Sequence, residues 1–189
     1  MSNPTLSVDK SGGGFEAEST SGLLHSRTII IGPNLDEKSY NLVIAQLIFL
    51  QQQDPSQDLS LWINSDHPSE ISALAICDLT RSLSCDVRTY CVGKAIGVSA
   101  LLLASGTKGK RTANRNASVC LCQPSIKSIG NANDLDRMKR RADLARDRTV
   151  ELLAEITTRS KDEILTAIDR ERWMSAEEAQ EYGIVDHVK

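Results

Sequence analysis

The apolar residues of this chain follow two spacings in turn: short β-branched runs, typical of strands, and positions three or four residues apart, typical of helices. The runs predict strands over Thr28–Ile31, Leu59–Ile63, Val87–Val92, Lys110–Thr112 and Ser118–Leu121. Helical spacing follows the first two strands, in Tyr40, Val43, Ile44, Leu47 and Ile48 and in Ile71, Leu74, Ala75, Asp78 and Leu79. The small apolar stretch Gly93–Ser105 predicts a buried helix after a glycine turn. This alternation indicates an α/β fold of stacked βαβ units with a mostly parallel sheet.

One helix is longer than the core of a small domain requires. The pattern predicts it over positions 132–158, about 25 residues and roughly 37 Å. Its apolar seam is made of Leu135, Met138, Ala142, Ala145, Thr149, Leu152 and Ile156. Because the middle of this seam is small, another helix can approach closely, and we expect the helix to project and meet a partner subunit. Two shorter helices follow, each begun by a capping box (Ser160 with Glu163, Ser175 with Glu178), and Gly183 can end the second.

Length and charge narrow the class of protein. The 189 residues carry 22 basic and 25 acidic side chains, a net charge of -3. We expect one domain over 21–189, after a Ser- and Gly-rich flexible segment 1–20 that cannot bury enough apolar surface to order itself. The chain has no basic field for nucleic acid, no apolar window of the ~18 residues that a membrane span needs, and no basic-then-apolar leader. These features predict a cytoplasmic protein, or one of an organelle's stroma or matrix, that binds neither nucleic acid nor membrane.

The positions of the five cysteines indicate buried structural thiols rather than disulfides or metal ligands. Their number is odd and most of them fall inside apolar runs, as expected of reduced, buried thiols rather than a disulfide framework. Cys120 and Cys122 would place two thiols on one strand face. A zinc site would need two further ligands nearby, and the chain has no second tight Cys/His pair. We therefore expect no metal and no other cofactor.

Several segments resemble the Clp protease proteolytic subunit family (ClpP). They are Asn41–Leu50, Ile63–Ser65, Cys91–Gly93, Ala100–Gly109, Gln123–Pro124 and Met174–Gly183, and the likeness runs nearly without gaps from about Gly22 to Lys189. The resemblance implies a crotonase-like, ClpP-like fold whose long helix, the handle, joins two seven-membered rings into a barrel. It also implies ring–ring contacts for Leu135, Met138, Ala142, Ala145, Gln123, Pro124, Asp169 and Arg170.

The same resemblance implies a Ser-His-Asp peptidase, and this sequence departs from that pattern. Gly97 stands at the position of the nucleophile, Cys122 at that of the general base and Glu171 at that of the orienting acid. Glycine has no hydroxyl and a thiol accepts protons poorly at neutral pH, whereas Glu can replace Asp. The two amides of the oxyanion hole fall at Pro68, which has no N–H, and at Val98. We therefore expect little peptide hydrolysis at this site.

Two hypotheses stay open. The first is a non-catalytic subunit, similar to the ClpR-type paralogs, that joins an active ClpP paralog in mixed rings or joins itself as a homo-oligomer. It would meet the AAA+ Clp ATPase only indirectly, because Ser60 and Ser82 replace the aromatic residues of the family's docking pockets. The second is an enzyme, either an atypical peptidase of the family that uses Ser99 or Cys122, or a crotonase-like acyl-thioester binder. Ser99 lies roughly 200° around the helix from Gly97 and should point away from the site.

Overall fold

A sheet of mostly parallel strands organises the chain. The computed structural model describes residues 22–33, 37–66, 70–123 and 131–189. In chain order the elements are β1 (Thr28–Ile31), α1 (Glu37–Gln53), β2 (Leu59–Asp66), α2 (Glu70–Ser82), β3 (Val87–Ile96), α3 (Val98–Ala104), β4 (Arg111–Ala113), β5 (Ser118–Leu121), α4 (Ala132–Thr157), α5 (Lys161–Asp169), β6 (Arg172–Met174), α6 (Ala176–Tyr182) and β7 (His187–Val188). Helices alternate with parallel strands as the hydrophobic pattern indicates, so the α/β fold class is confirmed.

The central strand β3 positions most of the sheet. It pairs in parallel with β2 on one side. On the other side it pairs in parallel with β4 over its first half and with β5 near its end. The outer strands β1 and β7 add in parallel to β2 and β4, while β6 adds antiparallel to β5. The ends of β3 and β5 therefore meet at one edge, together with the start of β6.

The helix α3 lies at the centre of the core. All of its residues, Val98 to Ala104, are buried, and it packs against β3, α2 and α4. This burial explains why the segment is small and apolar all round. Leu47, Leu61 and Leu153 from the surrounding elements close the core without exposed surface.

One predicted boundary is wrong, and one predicted helix is present but is buried partly through residues outside the predicted spacing. Residues Gly93–Ile96 extend β3 instead of starting a helix, because they pair with β2 and with β5 at once. In α2, the buried residues are Leu74 and Ile76 together with the small residues Ala73, Cys77 and Thr80, whereas Ile71, Ala75 and Asp78 are exposed. Small side chains let α2 approach the buried α3 closely, which local spacing does not reveal.

The long helix α4 covers Ala132–Thr157, against the predicted 132–158. Its fully buried residues begin at Ala145, and from there the helix packs against α2, α3 and α5. Before that point its side chains are half-buried or exposed, and Leu135 is 48% exposed. The first half of α4 therefore presents apolar surface that the described part of this chain does not cover. Among the described residues, no helix combines the length and apolarity that crossing a bilayer requires.

Candidate functional site

A strained turn joins β3 to α3, and Gly97 forms it. The residue has φ 62° and ψ -126°, a conformation that side chains other than glycine's adopt at a cost. Its N–H donates to the Cys120 carbonyl at 2.9 Å, and its own carbonyl accepts from the Ala100 N–H at 3.0 Å. A sharp strand–turn–helix of this kind exposes the nucleophile in other hydrolases. Here the backbone keeps such a turn, but the residue has no side chain to present.

The strand β5 brings Cys122 beside this turn. Cys120 lies in register with Ile96 of β3, and Cys122 follows the last residue of β5. Burial raises the pKa of the Cys122 thiol and the Glu171 charge raises it further, which outweighs the lowering by the Cys120 thiol and the Gly97 amide. The thiol is therefore protonated at neutral pH. A protonated thiol neither accepts the proton of a nucleophile nor attacks as a thiolate.

Glu171 lies beside Gly97 and Cys122 and comes from a third segment of the chain. It stands between α5 and β6 in the left-handed region, with φ 49°. The antiparallel register of β6 with β5 sets Arg172 against Leu121, so Glu171 is placed opposite Cys122. The structure thus places Gly97, Cys122 and Glu171 side by side. Of this group only the carboxylate keeps a group that could serve in a triad.

The positions of the oxyanion hole are described only in part. Val98 is the first residue of α3 and is buried. Pro68 lies outside the described residues, as do Pro124 and the segment 1–20.

Ser99, the alternative nucleophile, is buried in the core helix α3. Its side chain has no exposed surface, and its hydroxyl has no hydrogen-bond partner in the described part of the chain. A serine needs both an adjacent base and access to the substrate. In the described part of the chain, the Ser99 hydroxyl has neither an exposed surface nor a hydrogen-bonded base.

Neither described histidine can act on Cys122. His187 lies on β7, and its ring contacts the Gly109 carbonyl at 3.0 Å. Its register partner on β4 is Thr112, and the partner of Thr112 on β3 is Tyr90. Tyr90 precedes Gly97 by seven residues of strand, roughly 20 Å. His25 precedes β1 and lies at that same far end of the sheet.

Several contacts of the site region were not predicted from the sequence. Lys94 and Asp66 form an ion pair at 2.5 Å across the ends of β3 and β2. The Gln123 amide donates to the Asp169 carboxylate at 2.6 Å, which links two of the ring–ring residues within one chain, while Arg170 is exposed. These contacts depend on strand register, for which the sequence carries no local signal.

Comparisons with known proteins place the chain in a family. The model of the Clp protease family matches residues 11–189, beginning before the Gly22 at which the motif likeness starts. The chain is 40% identical over 168 residues to the ATP-dependent Clp protease proteolytic subunit 2 of Chlamydia trachomatis serovar D, covering 89% of this chain and 83% of the relative. It is 37% identical over 185 residues to the ATP-dependent Clp protease proteolytic subunit 3 of Frankia casuarinae, covering 98% and 87%. The chain therefore belongs to the Clp protease family.

Proposed function

We propose that this chain is a non-catalytic subunit of an ATP-dependent Clp protease, which contributes structure or regulation to the double-ring barrel instead of peptide hydrolysis. The observation that carries the proposal is Gly97 in the strained turn at the nucleophile position. Family membership and relatives named as proteolytic subunits support the assembly role.

The missing chemistry follows from the roles of a serine triad. A hydroxyl must attack the scissile carbonyl, a base must accept its proton, and an acid must orient that base. Gly97 offers no atom beyond its Cα, and the protonated Cys122 thiol cannot accept a proton. Among the described residues, neither His25 nor His187 offers Glu171 an imidazole to orient. Removal of a nucleophile or a base costs about 10⁶ in rate, and removing both costs little more.

The assembly role rests on the first half of α4. Leu135 and Met138 lie on the seam, where neither is fully buried within the chain. A projecting helix with such a seam gains stability when a second helix covers it. We propose that the cover is the handle of another Clp subunit, either an active paralog in a mixed barrel or a second copy of this chain.

The unfoldase contact is proposed to be indirect. Ser60 and Ser82 carry no aromatic ring. Trp62 is the aromatic residue that remains close to Ser60 on β2, and its ring lies 5.7 Å from that of Tyr90. The Lys189 ammonium sits 5.6 Å from the Tyr90 ring, so a charge borders this patch. A surface of this kind is less apolar than the pockets that the family resemblance implies.

Peptidase assays test the loss of catalysis. The purified chain and its Gly97→Ser variant are given a short fluorogenic peptide, with the host's active paralog as the positive control. Neither form should hydrolyse it, because the protonated Cys122 thiol cannot accept the proton of the hydroxyl restored at 97. Robust turnover by the wild-type chain would overturn the proposal. Loss of that turnover in Ser99→Ala or Cys122→Ala would identify the atypical nucleophile.

Native mass spectrometry tests the assembly role. The chain is measured alone and mixed with the active paralog, and we expect double-ring masses that include it. Leu135→Asp should shift these to single rings. Leu144→Asp is the matched control, since it is 61% exposed and lies nine residues on, about 180° around the same helix. A chain that enters no ring, or two variants with equal effects, would contradict the assembly.

A further inference from the structure

Two thiols meet beside the Gly97 turn. Cys120 and Cys122 are two residues apart at the end of β5, so both side chains leave the same face of the strand. Val119 and Leu121 leave the other face and belong to the hydrophobic core, which does not include Cys120. Burial raises the pKa of the Cys120 thiol to about 12, and the neighbouring Cys122 thiol raises that pKa further. The two thiols are therefore neighbours on the strand face that borders the Gly97 turn.

The remaining cysteines are arranged differently. Cys77 is buried against the Ser105 hydroxyl, and Cys91 contacts the backbone of Gly93. Cys85 is buried at the end of the loop before β3. Within the described ranges, only the pair at 120 and 122 brings two thiols together. The chain therefore contains its own control for the behaviour of a single buried thiol.

The number of ligands selects the class of cation. No group of three or more His, Cys, Asp or Glu side chains in the described part of the chain is placed to hold a metal. Among the described residues the site offers the two sulfur ligands of Cys120 and Cys122, fewer than the four, or three and a water, that zinc uses. Copper(I) is soft, prefers thiolate sulfur, and can be held by two thiolates on opposite sides. Access is available because Cys122 is only half-buried, while Cys120 is 1% exposed and shields the inner side.

We propose that Cys120 and Cys122 form a two-coordinate site for a soft monovalent cation of the copper(I) class, at the place where the family has its general base. Two S–H bonds break, two sulfur–copper bonds form, two protons pass to solvent, and copper stays in its +1 state. The site then carries one more negative charge than before. This binding goes beyond the assembly role and does not depend on it.

The added negative charge predicts how the affinity for copper(I) depends on the neighbouring carboxylate. The Glu171 carboxylate interacts with both thiols, so its negative charge opposes the more negative copper form. Removal of that charge in Glu171→Gln should tighten copper(I) binding. A purely structural thiol pair would not respond in this direction, and unchanged or weaker binding in Glu171→Gln would contradict the site.

The test is an anaerobic titration of the full chain with copper(I), in competition with a chromophoric copper(I) chelator. We expect one equivalent bound by the wild-type chain and by the matched control Cys85→Ala, and loss of that equivalent in Cys122→Ala. No binding by the wild type, or undiminished binding by Cys122→Ala, would overturn the proposal. A second measurement needs no variant: maleimide labelling of the native wild-type chain, mapped by mass spectrometry, should lose Cys122 only when copper(I) is present. Protection of Cys85 without Cys122 would contradict it.

Discussion

The carboxylate of Asp186 links the C-terminal segment to the sheet through hydrogen bonds, and we expect its removal to lower the free energy of unfolding. It accepts hydrogen bonds from Arg111 Nε at 2.9 Å and Nη2 at 2.6 Å. It also accepts from the backbone N–H groups of Arg111 and Gly109 at 3.0 and 2.8 Å. The side chains are only 5% and 15% exposed, so water replaces little of what is lost. Arg111 then lies at a low-dielectric site with this carboxylate as its counter-charge.

Asp186→Asn keeps the shape of the side chain but removes its charge. The new amide NH₂ faces donors that the carboxylate oxygens accepted from, and a nearly buried guanidinium loses its ion pair. We expect the free energy of unfolding to fall by about 3 kcal/mol, the lower end for breaking one side of a buried pair. For a chain of this length that corresponds to a fall in Tm of roughly 6–12 °C. Folded domains are ordinarily stable by only about 5–15 kcal/mol, so the loss would be a large part of the total.

Chemical denaturation at a fixed protein concentration measures the effect. Glu151→Gln is the control, because its ion pair with Lys161 at 2.8 Å is 60% and 61% exposed and should contribute less than about 0.5 kcal/mol. Burial raises the pKa of Asp186, but the Arg111 guanidinium and the neighbouring amides outweigh it and hold that pKa below its usual value. The contribution is therefore complete above about pH 4 and disappears as the pH falls through the folded-state value. An Asp186→Asn change no larger than that of Glu151→Gln would refute this reasoning.

Three further substitutions test other parts of the fold. Gly97→Ser should lower the free energy of unfolding by about 1–3 kcal/mol, because serine must adopt the conformation that glycine adopts freely; equal stability in a denaturant titration would contradict the strained turn. Gly106→Ala should cost about 1–3 kcal/mol by overpacking, since its Cβ would lie 2.5 Å from Thr89 Oγ1, whereas Gly32→Ala meets open space and serves as the control. Equal melting temperatures for these two alanine variants would show that the close contact is absent. Ser175→Ala should cost about 1 kcal/mol by uncapping α6, and hydrogen exchange that stays unchanged in that helix would exclude the cap.

Much of the fold could be predicted wherever local pattern and tertiary setting agree. The β-branched run over Thr28–Ile31 is a strand with those same ends, and the long helix differs from its prediction by one residue. Both capping boxes, at Ser160 and Ser175, form as predicted. In each of these elements, the local residues determine where the strand or helix begins or ends.

Prediction fails where distant segments decide the structure. The strand β6 has only three residues, two of them exposed, and it exists because β5 offers it an antiparallel partner. The extension of β3 through Gly93–Ile96 depends in the same way on strands at both sides. Short strands carry too few positions for alternation to be visible in the sequence.

In the candidate site too, some features follow from the sequence and others depend on contacts between distant segments. The places of Gly97, Cys122 and Glu171 came from likeness to a family, and their grouping in the structure comes from the register of β3, β5 and β6. The neighbouring positions of the Cys120 and Cys122 thiols follow from the two-residue period of a strand, which the sequence does predict. The pair of Arg111 with Asp186 joins residues 75 positions apart, and no local pattern announces it.

The torsion angles of Gly97 also bear on how this lineage can change. A serine placed there by one mutation would strain the backbone at once. Hydrolysis would still need an imidazole at 122 and a peptide N–H at 68, neither of which that mutation brings. For the non-catalytic subunit proposed above, a route to peptidase activity would therefore begin with a step that weakens the protein and gains no activity.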